Sequence, residues 1–142
     1  MIQMLSGIQH TAAALNVERT RLDVIAQNIA NAQTTRDAQG KPYQRQVVVF
    51  ETALQQSLAT GQTAPEASLR VARIQKDPRP PTLVYRPGHP DADAHGMVAM
   101  PNVNLHEEMA DLITASRAFE ANLAVVRSAR TMAMQTLAIG KR

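Results

Sequence analysis

The stretch NLHEEMADLITASRAFEANLAVVRSARTMAMQTLAIG, residues 104 to 140, decides the architecture. Within it Leu105, Met109, Leu112, Ser116, Phe119, Leu123, Val126, Arg130, Ala133 and Leu137 follow one another at alternating steps of four and three. Only Ser116 and Arg130 interrupt the apolar character. Such spacing predicts a helix with one narrow apolar seam of the a/d type. Asn104 with Glu107 three residues later reads as a capping-box start, Pro101 sits just outside, and Gly140 is the expected stop. At about 1.5 Å per residue this helix runs roughly 55 Å, longer than a small compact domain is wide.

Working back to the other end of the chain, Leu5, Ile8, Ala12, Leu15, Leu22, Ala26 and Ile29 recur at helical steps, with Ile8, Leu15, Leu22 and Ile29 seven apart. This predicts a first helix of roughly 45 Å. Two such helices can pair as a coiled coil, but one pair leaves its outer apolar positions uncovered. Alanines around both helices (Ala12 to Ala14, Ala26, Ala30, Ala115, Ala118, Ala121 and Ala124) allow further helices to approach closely. The expected seam is Leu15, Leu22 and Ile29 against Leu112, Phe119, Leu123 and Val126.

Between the helices the character changes. All eight prolines fall between residues 33 and 101, which excludes helix from much of that span. YQRQVVVFE (43 to 51) is β-prone, SLRVARIQ (68 to 75) partly alternates, and TLVY (82 to 85) reads as a short strand. The stretch between the first two, ETALQQSLATGQTAPEA (51 to 67), is ambiguous. The expected fold is therefore mainly α with a small, irregular β insertion. Residues 1–33 and 102–142 form a discontinuous helical domain paired as a coiled coil, with 34–101 inserted between them.

Composition narrows the function more by exclusion than by assignment. The 142 residues carry 15 Lys and Arg against 12 Asp and Glu, a net charge of +3 spread along the chain, which is a weak case for a nucleic-acid partner. No cysteine is present, so disulfides, thiol catalysis and thiolate metal sites are excluded. The amino terminus lacks the pattern of a cleaved signal peptide, and no run approaches the roughly 18 apolar residues of a membrane span. Glycine-rich phosphate loops and a Gly-x-Ser-x-Gly elbow are missing, and His10 has no acid nearby in sequence to orient it. No catalytic set and no cofactor is expected.

One segment does suggest chemistry. PGHPDADAHG (87 to 96) places His89, Asp91, Asp93 and His95 within seven positions, four groups able to ligate a transition metal. The same residues describe a turn: Pro87, Gly88 and Pro90 are turn formers, Asp bonds its own backbone, and Gly96 suits a left-handed position. The turn is the preferred reading; a metal-dependent hydrolase built on these four groups is the rival. HEEMA (106 to 110) begins like the zinc-protease motif H-E-x-x-H but has Ala110 where the second imidazole is needed. There Glu107, Glu108 and Asp111 suit the positive end of the helix dipole instead.

Three stretches carry a resemblance. AQNIANAQTTR (26 to 36) resembles the Asn-rich signature closing the first helix of bacterial flagellar rod, hook and hook-associated axial proteins. LVYRPGHPDADAHGMVAMPNVN (83 to 104) and EEMADLITASRAFEANLAVVRSARTM (107 to 132) are similar to the proximal-rod branch of that group. Met97 stands where the family more often has an aromatic, and Phe119 where Tyr is usual.

The resemblance implies a structural subunit of the proximal rod of the flagellar basal body, a driveshaft component that transmits torque, with a D0-like helical domain. Implied partners are further copies of itself, other rod subunits (FlgB, FlgF, FlgG and FliE-like proteins) and the flagellar type III export apparatus. Implied placement is the periplasmic rod, reached without a cleaved signal. Asn28, Asn31, Arg117, Glu120 and Asn122 lie in the family-like motifs and are expected to make inter-subunit or helix-end hydrogen bonds. For Asn28 and Asn31 the plain alternative is a helix C-terminus and turn; for Arg117 and Glu120 it is an exposed i,i+3 pair. A cytoplasmic coiled-coil adaptor or secretion chaperone is a further rival.

Overall fold

The computed structural model describes the backbone of residues 2–55 and 66–139 and the side-chain surroundings of 7–51 and 70–139. Gly140 as a helix stop, the seam role of Leu5 and the order of residues 56–65 lie outside the described residues. Six elements follow in order: α1 (Ile2–Ala30), β1 (Gln46–Gln55), β2 (Glu66–Lys76), β3 (Thr82–Tyr85), β4 (Met97–Met100) and α2 (Leu105–Ile139). Two long helices thus flank a small β part, as the periodicities predict.

The β part is two separate antiparallel pairs, each formed within the chain. β1 and β2 make a long hairpin, Gln46 opposite Lys76 through Gln55 opposite Glu66, with a register shift between Val49 and Phe50. The shift is an extra residue on β2, since Val49 faces Arg73 and Phe50 faces Val71. The expected strand at Tyr43 starts three residues later, because Tyr43 to Arg45 bond to other segments. β4, which the sequence reading did not identify as a strand, pairs with β3, Thr82 opposite Met100 and Tyr85 opposite Met97.

α2 starts as its cap predicts. Asn104 Oδ1 accepts from the His106 amide at 3.1 Å, and Asn104 Nδ2 donates to Glu107 Oε1 at 3.1 Å. Glu107 reaches the cap's side chain, not its backbone amide, so the capping box is one-sided. Pro101 is buried just ahead of it.

α1 packs against both α2 and the hairpin, and its most deeply buried residues lie beside the expected stripe. Its buried residues are Val17, Val24, Ile25 and Asn28, whereas Leu15, Leu22 and Ile29 are only half-buried and Ala12 and Ala26 are exposed. The centre of this buried set lies roughly a third of a turn round the helix from the Leu15–Leu22–Ile29 line. On α2 the fully buried residues are Glu108 and Ala115, continued seven residues apart by half-buried Asn122 and Ala129. Small side chains on this line let the helices approach, and the expected seam residues Leu112, Phe119, Leu123 and Val126 flank it half-buried. On α2 the line of deepest burial is small and polar, which an apolar periodicity does not register, whereas α1 contributes Val17, Val24 and Ile25.

The buried apolar set among the described residues is small: Val17, Val24, Ile25, Val98 and Ala115. Along α2, by contrast, Leu105, Met109, Ile113, Val125, Met132, Met134, Leu137 and Ile139 are all exposed. These residues lie on several faces of the helix, so one α1 cannot cover them.

Candidate assembly site

Where the two helices meet the β part, polar side chains replace an apolar core. Glu108, in the first turn of α2, has a fully buried side chain that accepts from Arg45 Nε at 2.6 Å and from Asn28 Nδ2 at 3.0 Å. Asn28, buried in the last turn of α1, is saturated. Its Nδ2 also donates to the Gln46 carbonyl at 2.9 Å, and its Oδ1 accepts from the Tyr43 hydroxyl and the Gln46 amide, each at 2.9 Å. One amide side chain thereby joins α1, the approach to β1 and α2. An Asp here would supply no donor, and Ala would orphan several buried groups.

Arg45 continues the network outward. Its guanidinium lies 3.5 Å from Asp77 Oδ2 and 3.6 Å from Asp111 Oδ2, and Arg21 approaches Asp111 from α1 at 3.6 Å. Asp77, just after β2, accepts from the Arg79 amide and Arg79 Nε at 3.0 Å each. Hydrogen bonding to Arg79 is the main cause that holds the Asp77 carboxyl below its ordinary range, and Arg45 adds to it; Arg79 is raised in turn. Burial, with the negative charge of Glu108 second, pushes the Tyr43 phenol up. Asn102 closes the ring: its Oδ1 accepts from the Arg45 amide at 2.8 Å, and its Nδ2 donates to the Arg79 carbonyl at 2.9 Å.

The PGHPDADAHG loop is a turn. Asp93 Oδ1 accepts from the His95 amide at 2.8 Å and the Met97 amide at 2.9 Å, and Gly96 sits at φ +74°. A Cβ on Gly96 would stand 2.9 Å from Tyr85 Cε2 and 3.1 Å from Pro87 Cβ, so glycine serves both conformation and space. His89 Nδ1 accepts from the Asp91 amide at 3.1 Å. Asp91 points away from the loop, accepting from the Thr35 hydroxyl at 2.8 Å and pairing with Arg36 at 3.0 Å. It docks the loop onto the segment after α1. Among the described residues no three His, Asp or Glu side chains form a metal-holding group, so the four-ligand arrangement required by the hydrolase reading is not assembled.

The remaining motif residues divide. Asn31 closes α1, donating from Nδ2 to the Gln27 carbonyl at 2.9 Å and accepting from the Thr34 hydroxyl at 3.2 Å, which is the helix-end role. Arg117 and Glu120 are exposed and, among the described residues, do not pair with each other; Asn122 is half-buried on the line facing α1. Sequence reasoning missed Tyr43, Arg45, Asp77, Asn102 and the burial of Glu108. The one available signal was Glu108 falling seven residues before Ala115 and fourteen before Asn122 on a line of small and polar residues.

Comparison with known proteins is consistent along the chain. Residues 8–36 match the family described as flagella basal body rod protein, and residues 94–139 match the family described as flagellar basal body rod FlgEFG protein C-terminal. The chain is similar to the flagellar basal-body rod protein FlgC of Borreliella burgdorferi, 42% identical with 96% of this chain and 97% of that protein covered. It is also similar to the proteins of that name from Yersinia enterocolitica, at 39% with 99% and 100% covered, and from Bacillus subtilis, at 36% with 92% and 94% covered.

Proposed function

The chain belongs to the FlgC family of flagellar basal-body rod proteins, and from that premise we propose that it is a structural subunit of the proximal rod, assembling through its terminal helices and passing torque along the shaft. Membership over nearly the whole chain carries this reading. Residues 1–33 and 102–142 act as the two halves of one helical domain, paired in the manner of a coiled coil, with 34–101 as the insertion. The protein works by packing and has no catalytic role.

Exposed apolar residues along α2 support assembly as the means of burial. Covering them releases roughly 25 cal/mol per Å² of apolar surface, enough to offset ordering entropy only when neighbours supply the missing faces. Ordering of the distal helical segments is therefore coupled to assembly. Partners are further copies and other rod subunits, delivered by the flagellar export apparatus to the periplasmic shaft. The seam residues Leu15, Leu22, Ile29, Leu112, Phe119, Leu123 and Val126 lie in or beside the contacts that close the assembly.

The test is Leu123→Asp in cells lacking the wild-type copy. The expected result is loss of motility and of the subunit from isolated basal bodies, with the wild type sedimenting there. A wild-type protein absent from basal bodies would refute the reading.

A further inference from the structure

α2 carries a second line at seven-residue spacing: Ile113, Glu120, Arg127 and Met134. It lies five positions on from the packed line of Glu108, Ala115, Asn122 and Ala129, hence roughly 140° round the helix. All four residues are exposed. Among the described residues neither the Glu120 nor the Arg127 side chain has an ion-pair partner.

Charge on the helix pair is unevenly spread. From Ala121 to Ile139 the charged residues are Arg127 and Arg130, both positive, and residues 7–17 of α1 contain no acid. Parallel copies packed side by side in register would set Arg127 against Arg127, a like-charge contact that is unfavourable in a partly dehydrated interface. An acid must come from nearer the β part, and the nearest exposed one on α2 is Glu120. Sliding one copy seven residues along the other, roughly 10 Å, brings Glu120 opposite Arg127.

The geometry points to a one-heptad axial stagger between the α2 helices of neighbouring copies, with Glu120 of one paired to Arg127 of the next. This rests on the rod-subunit reading, because a parallel staggered contact is heterologous and continues along an axis. An antiparallel contact through the same line would set Ile113 against Met134 and close after two copies.

Charge reversal tests the pairing in cells lacking the wild-type copy. Glu120→Arg and Arg127→Glu each reduce the subunit recovered in basal bodies by about tenfold or more, and the double variant restores it to within about twofold. Both sites are exposed, so circular dichroism of each purified variant matches the wild type. Because the chain has no cysteine, co-expressed Glu120→Cys and Arg127→Cys copies form a disulfide-linked dimer in basal bodies that neither variant forms alone. A double variant as defective as the singles, or absence of that dimer, overturns the stagger. So does a dimer linking Ile113→Cys copies to Met134→Cys copies. Wild-type protein missing from the same basal bodies would instead count against the rod reading.

Discussion

The base of the helix pair and the far half of α2 are built on opposite plans. At the base, Asn28, Arg45, Asp77, Asn102 and Glu108 satisfy one another with directional bonds, and little is left for a neighbour to add. Along the far half, Val125, Met132, Met134, Leu137 and Ile139 are exposed, and the described part of the chain holds nothing more to cover them. The contrast teaches that the described fold fixes its geometry with polar contacts made internally and leaves apolar surface uncovered on α2, the surface that the proposed function assigns to association. A compact monomer of this length would reverse that allocation.

The contrast breaks most readily at Glu108. Glu108→Ala removes the buried carboxylate that accepts from Arg45 Nε and Asn28 Nδ2, leaving Arg45 only its longer contacts with Asp77 and Asp111, and should cost about 3–5 kcal/mol in urea unfolding of the purified subunit. Glu108→Gln, which keeps an acceptor for Asn28, should cost less. If both cost under about 0.5 kcal/mol, a threshold typical of surface changes, the base is not what holds the fold. Next in size is Gly96→Ala, where the left-handed backbone and the contacts with Tyr85 and Pro87 predict a loss of about 1–2 kcal/mol by the same measurement.

Acid should act on the base and spare the far half. Asp77 has its pKa lowered on folding, so the unfolded chain binds more protons through that group and stability falls as pH falls. Its contribution is fully present above the ordinary carboxylate pKa of about 3.9 and is lost as pH drops through the lowered folded value. Asp77→Asn should flatten the pH dependence of unfolding in that acid window, and an unchanged slope would discount the Arg79 contact. Asp37, lowered mainly by the Lys41 backbone amide, titrates in the same direction and remains as background in the variant.

The smallest expected effect sharpens the comparison from the other side. Met134→Ser should change the stability of the isolated subunit by no more than about 0.5 kcal/mol, because the side chain is already exposed. Its recovery in basal bodies should nonetheless fall. A loss of stability equal to that of Glu108→Ala would mean the far half is already packed in the monomer.

Much of the architecture was legible. The alternating steps from Leu105 to Leu137 and the Asn104 cap gave α2, and TLVY gave β3, because both patterns are local. The packed faces were not legible. Counting apolar residues selects Leu15, Leu22 and Ile29, whereas the most buried residues of α1 are Val17, Val24, Ile25 and Asn28, the last bonded to the buried acid Glu108. Asn28 was singled out for its motif, but its role depends on Arg45 and Glu108, 63 residues apart, and no local pattern joins those two. The PGHPDADAHG turn was readable because Asp93 and Gly96 act within a few residues of themselves.

The long span between Arg45 and Glu108 also sets a sequence of events. The β1–β2 pairing joins strands close in sequence, and each helix can nucleate within its own length. The tie that fixes their mutual orientation must wait until the chain has closed a loop of that size, and loop closure slows as the separation grows. At the base, strands and helix turns can therefore take shape before they are aligned, so the tilt between helices and β lobe is set only after the pieces it relates.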